Sequence, residues 1–206
     1  MPVVVGIDLS LTSTGLAVVT TGERGVLAYG SVMRVASSGT KKDTLVERRE
    51  RLNLIGHQVI DYVRRMDPQL VVIEAPSMAS KYGHPHDRSG LWWLVVNRLM
   101  SLEYPVAAAP PTCRAKYATG KGNAAKDDVL THVVRRYAGV MVTKNDEADA
   151  LILAAMGARH LGHPIEESLP AAHVSGLDGV EWPCTAAYLQ VAGNEVVKVR
   201  DVPASM

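Results

Sequence analysis

A mixed α/β sheet flanked by helices is what this sequence predicts, and three features predict it. From Val3 to Val35 the chain runs through consecutive β-rich stretches separated by short turns. The later stretch LVVIEAP, Leu70–Pro76, sets four apolar residues side by side, as a strand covered on both faces requires. Helical spacing begins only after the opening strands and then alternates with further strands, the order of a mixed sheet with helices packed on it.

Taken in order, Val3–Leu9 and Leu16–Thr20 are both β-rich, and Ser10–Gly15 between them is a short polar turn. Gly25–Val35 reads as a third strand, and Gly22 and Gly25 bracket the turn before it, so the chain opens as an antiparallel meander. Ala36–Lys42 is small and polar and reads as a loop. Asp43–Met66 is an amphipathic helix, with Leu45, Leu52, Ile55, Val59, Tyr62 and Met66 on one face and Pro68 ending it. Leu70–Pro76 is the buried parallel strand. Ser77–Gly90 reads as a long loop, and Leu91–Leu102 as a helix that is apolar around most of its girth. Pro105–Pro110 is a short fifth strand. Lys121–Tyr137 starts as a glycine loop and becomes a helix, and Asn145–Leu161 is a further helix with Asn145 as its N-cap. Past that helix, Ala187–Val191 and Glu195–Val199 flank AGN as a hairpin. The organisation read from this is one domain over residues 1–162 and a C-terminal extension over 163–206.

The chain has 206 residues, 47% hydrophobic and 21% charged, enough for a soluble domain with a sizeable core. No apolar stretch approaches the ~20 residues of a membrane span, and the start is already strand-like rather than a secretory leader. A net charge of +1 excludes a global polyanion-binding signature, so a nucleic-acid partner has to rest on local clustering. Phe is absent, which leaves base stacking to Tyr, Trp, His or Arg. Cys113 and Cys184 are too far apart for metal-type spacing and read as two unpaired thiols in a reducing cytoplasm.

Two strands end in a carboxylate, Asp8 on the first and Glu74 on the buried parallel one. Asp146 and Asp149 stand three apart at the start of a helix and share a face. Singly, each looks like a strand-end ion pair or a charge favoured by the helix dipole. Together they are four acids from three distant segments, placed at strand ends where such sheets form sites. Gathered, they would repel one another unless a cation held them, and hard oxygen ligands suit Mg²⁺, with Mn²⁺ as a substitute. Two such ions about 4 Å apart can activate a water and stabilise a leaving oxygen in phosphodiester cleavage. Glu147 faces elsewhere and reads as an ordinary surface acid.

The stretches GIDLSLTSTGLAV, VVIEAP, GKGNAAKDDV and DEADALILA resemble, in order, the four blocks of RuvC-type Holliday junction resolvases. The resemblance spans Val3 to Leu161. It implies a ribonuclease H-like mixed five-stranded sheet and metal-dependent, structure-selective cutting of branched DNA, Holliday junctions above all. It implies Asp8, Glu74, Asp146 and Asp149 as ligands of two divalent ions, Lys126 as the family's lysine after the Gly-x-Gly turn, and a location in the cytoplasm of a bacterium or a phage-infected host. A second family lysine has no counterpart in register: Lys116 is offset by one residue, and Arg114 is the alternative. The family's aromatic wedge, three residues after the strand glutamate, is here Ser77, which leaves Tyr82 or Met78 as substitutes, or no wedge at all.

Between Cys113 and Tyr137 lie Arg114, Lys116, Lys121, Lys126, Arg135 and Arg136. Gly120 and Gly122 let a backbone come close to a phosphate. Arg114, Lys116, Lys121, Lys126 and Tyr82 are therefore the expected DNA contacts, while Arg135 and Arg136 also fit a solvated helix face. GHPHD lacks a third ligand for a histidine metal site and reads as a surface loop near DNA. The surplus apolar girth of Leu91–Leu102 points to a homodimer seam. Two other classes stay open: an actin-like or sugar-kinase-like ATPase, which opens with a similar first block, and a branched-DNA-binding protein without cleavage.

Overall fold

The computed structural model describes residues 2–22, 27–40, 42–76 and 84–183. Tyr82, Ser77, Met78, Cys184 and the expected hairpin lie outside them. Strands β1 (Val3–Asp8), β2 (Ser13–Thr21) and β3 (Leu27–Ala36) form the antiparallel meander. β4 (Leu70–Glu74) and β5 (Val106–Ala109) run parallel to β1, giving one five-stranded sheet in the order β3-β2-β1-β4-β5.

Alternation along the central strands feeds two cores. Val5, Ile7, Val71 and Ile73 face helices α1 (Leu45–Met66) and α2 (Pro85–Ser101). Val4, Leu70 and Val72 face α3 (Pro111–Thr119), α4 (Lys126–Arg136) and α5 (Asn145–His160). Each fully buried Leu or Ile contributes about 1.5–3 kcal/mol. Every residue of α5 from Ala148 to Ala158 is buried, because this helix lies directly on the sheet and is covered on its other side by α3 and α4.

Several element ends differ from the sequence reading. α1 starts at Leu45, behind a Thr44–Glu47 capping box, and stops at Asp67, whose φ of 44° breaks the helix before Pro68. α2 starts at Pro85 rather than Leu91, with proline preset for the first helical turn. Arg48 of α1 grips Asp87 in that turn through two nitrogens. α3, in a stretch to which the sequence reading assigns no element, is a helix that starts at a proline and ends at Gly120, with φ 82°. The N-cap of α5 is Lys144, and Asn145 is its first residue.

Residues 163–183 pack back on the α5 side. Ile165 and Val180 join its core, with Leu169, Leu177 and Trp182 against it. Glu181 exchanges two backbone hydrogen bonds with Ala108 of β5, both 3.0 Å. Short helix α6 (Ala171–Val174) and the 3₁₀ turn Ser175–Leu177 lie between. No helix among the described residues is long and apolar enough to cross a membrane.

Candidate active site

β1 and β4 are parallel neighbours paired at Ile7 and Ile73, so Asp8 and Glu74 leave the sheet side by side at its carboxyl end. α5 brings its amino terminus to the same end, with Asp146 in the first turn and Asp149 one turn on. Glycine sets how close it comes. A Cβ on Gly15 would lie 2.0 Å from the Asp146 carbonyl oxygen, and one on Gly6 would lie 2.0 Å from that of Ala150. Any side chain at either position would lift α5 off the sheet and move its two acids.

The polar run between β1 and β2 builds the turn beneath the site. Thr14 Oγ1 donates to the Ser10 carbonyl at 2.8 Å and accepts from the Ser10 amide at 3.0 Å. Ser13 then donates its hydroxyl to Asp146. Across the site, the Trp92 indole donates to the Glu74 carbonyl at 2.9 Å and fixes the end of β4.

Asp149 is 1% exposed and Asp8 9%. Burial pushes the Asp8 carboxyl well above the usual carboxylate range, Glu74 and Asp149 push it further, and Arg114 and Lys126 pull it back. Burial raises Asp149 to about 6, against the pull of Arg114 and with Glu74 adding to the rise. The sequence-predicted acids are thus brought into one electrostatic cluster, with Lys126, the first residue of α4, acting on it.

Arg114 sits inside that cluster. It is 5% exposed, with Nε on Glu74 and Nη1 on Asp149. Sequence reasoning gave it as a DNA contact and as the alternative for the family's second lysine, without its burial between two acids. The signal was helical: Arg114, Tyr117 and Ala118, at i, i+3 and i+4, are the inward stripe of α3, and Lys116 falls off it. Lys116 is half-buried; Lys121 and Lys126 are exposed. Ser13 was also missed as a partner of Asp146. Glu147 turns back from the cluster and accepts from the amides of Thr143 at 2.7 Å and Lys144 at 3.0 Å, closing the start of α5.

The donor set suits a hard divalent cation: carboxylate oxygens, with Asp149 Oδ2 buried and without a hydrogen-bond partner. Among the described residues, however, no three acids, histidines or cysteines stand together as a ready-made shell. Two of the acids, Glu74 and Asp149, are instead engaged by Arg114.

Comparison of the whole structure with solved proteins finds Thermus thermophilus RuvC. The TM-score is 0.62 at 23% identity, over 78% of this chain and 97% of that one. The fold is that of RuvC. T. thermophilus RuvC in complex with its Holliday junction substrate superposes with a TM-score of 0.59 at 24% identity, covering 79% of this chain and 98% of that one. The fowlpox virus resolvase bound to substrate Holliday junction DNA gives 0.50 at 12% identity, covering 77% and 98%. No protein-family model and no curated protein sequence matches the chain. The mixed five-stranded sheet expected from the four sequence blocks is therefore the one observed.

Proposed function

We propose that this chain is a divalent-metal-dependent endonuclease that cleaves phosphodiester bonds in branched DNA, with the four-way Holliday junction as its principal substrate. The observation that carries this reading is the electrostatic coupling of buried Asp8 and Asp149 with half-buried Glu74, and of Asp149 with Asp146, at the carboxyl end of β1 and β4. Its support is a fold shared with proteins solved on Holliday junctions.

Asp8, Glu74, Asp146 and Asp149 would hold Mg²⁺, or Mn²⁺ in its place. Bound there, a pair of ions supplies an activated water and charge stabilisation at the leaving oxygen. Ser13 orients Asp146, and Trp92 holds the β4 end from which Glu74 projects. Lys126, exposed beside the acids, steadies charge that builds on the scissile phosphate. Lys121, in the turn between α3 and α4, and Lys116 hold flanking phosphates, and Tyr82 is the proposed contact to bases. The chain acts in the cytoplasm, on DNA, as a two-fold homodimer, because paired cuts across a junction need two sites. Its seam is α2, where Leu91, Val95, Val96 and Leu99 face the core while Trp93 stays 63% exposed and Met100 45%.

Incubation with Mg²⁺ and four-way junction, flap, fork and linear duplex DNA tests the reading. Cutting of branched DNA in preference to duplex is expected, and lost on chelation. No cutting of any substrate, with ATP turnover instead, would favour the ATPase class. Junction binding without cleavage would favour a binding protein. Sedimentation of only monomer at micromolar concentration, with and without DNA, would remove the dimer.

A further inference from the structure

We propose that Arg114 is a resident cation that competes with divalent metal for Glu74 and Asp149. It holds the acid cluster together in the metal-free protein and sets how weakly the site takes metal up. The inference rests on the metal-site reading above and goes beyond it, because it gives the affinity of the site a determinant that is not itself a ligand.

Two nitrogens of one guanidinium are spent on two different acids, Nε on Glu74 and Nη1 on Asp149. A guanidinium keeps its charge at every working pH. The side chain is buried, and its helix is anchored by Tyr117 and Ala118 on the same stripe. Arg114 is thus built into the interior, unlike Lys121 and Lys126 on the surface. Asp149 still has an unpartnered buried oxygen, so one guanidinium does not satisfy the cluster. A divalent ion that engages the same carboxylates must draw them from Arg114. Apparent affinity is then the intrinsic affinity reduced by the fraction of molecules in which the acids are released.

The test is calorimetric titration of Mn²⁺ into the full chain, first stripped with chelator, for wild type, Arg114→Gln, Arg114→Lys and Asp149→Asn. Arg114→Gln should bind Mn²⁺ about tenfold more tightly than wild type, or better, as removal of a competing state requires. It should also melt below wild type in chelator and gain more from saturating Mn²⁺ than wild type does. Equal or weaker Mn²⁺ binding by Arg114→Gln overturns the proposal. The metal-site reading survives that outcome if wild type binds Mn²⁺ and Asp149→Asn does not. Absence of Mn²⁺ binding in both wild type and Arg114→Gln overturns both. If Arg114→Gln does not fold even with Mn²⁺, Arg114→Lys decides, since it keeps the charge but loses the two-nitrogen fork. Tighter Mn²⁺ binding by the lysine variant supports competition, and equal or weaker binding refutes it.

Discussion

Two arginine–carboxylate clusters are buried on the α5 side of the sheet, and α3 supplies a residue to each. Around Glu166 the donors outnumber the acid. Tyr117 donates to its two oxygens at 3.0 and 3.1 Å, Tyr137 donates to one, and Arg159 Nη2 donates at 3.0 Å. Arg159 Nε also donates to the Tyr117 hydroxyl oxygen at 2.9 Å. Burial, then Glu166, pushes both tyrosine hydroxyls up, so they stay protonated as donors. Around Arg114 the balance is reversed. One guanidinium meets Glu74 and Asp149, Asp8 adds its charge, and Asp149 Oδ2 has no partner. A buried network with every group answered rigidifies a fold. One with a surplus of acids retains a demand for a further cation. Burial alone does not separate the two; the count of donors against acceptors does.

That contrast breaks most sharply at Asp8. Asp8→Asn should lower cleavage of a four-way junction by about a thousandfold, as loss of a main electrostatic stabiliser does. Junction binding should persist in a gel-shift assay, and wild-type nicking rates would remove Asp8 from the metal site. The opposite signature is expected at Glu166. Glu166→Gln should cost about 3 kcal/mol in urea denaturation, the scale for breaking a buried charged pair. Cleavage per folded molecule should not change.

Lys126 sharpens the acid-rich side, since its charge lowers both Asp8 and Asp149. Lys126→Ala should slow single-turnover cleavage at saturating enzyme by about a hundredfold. An unchanged rate with the DNA fully bound would make it only another phosphate contact. A smaller effect should appear in pH dependence without metal. Asp149 is raised from 3.8 to about 6 on folding, so its contribution to stability is full below pH 3.8 and lost as pH rises through about 6. In chelator, wild type should therefore lose stability relative to Asp149→Asn between those pH values. A constant difference would show that Asp149 titrates alike in the folded and unfolded chain. Smallest is Lys121→Ala, which should flatten the slope of log affinity against log salt by about one unit and weaken all DNA substrates alike.

Pattern made most of the sheet legible. A run of four apolar residues marked β4, β-rich stretches between short turns marked the meander, and the acids at the strand ends marked the candidate site. What sequence reasoning missed is short and begins with proline. α3 and the first turn of α2 lack the length over which periodicity is readable, although Pro111 and Pro85 are the residues that start them. With α3 unread, Arg114 could not be assigned to an inward stripe, and it was grouped with Lys116 by proximity in the chain. Ser13 reaches Asp146 across a separation of 133 residues, which no local pattern reports. The close seat of α5 depends on Gly6 and Gly15, whose absent side chains leave no periodic trace.

The pairing of Glu181 with Ala108 bears on how short this protein can be made. An uncovered edge strand is a template for other chains, and β5 is the outermost strand on its side of the sheet. Trimming the chain at residue 162 would bare the outer backbone of Ala108, uncover the core faces now met by Ile165 and Val180, and strip Glu166 from Tyr117 and Tyr137. The expected product is a sticky, self-associating fragment, so residues 163–183 belong to the folded unit that carries the sheet.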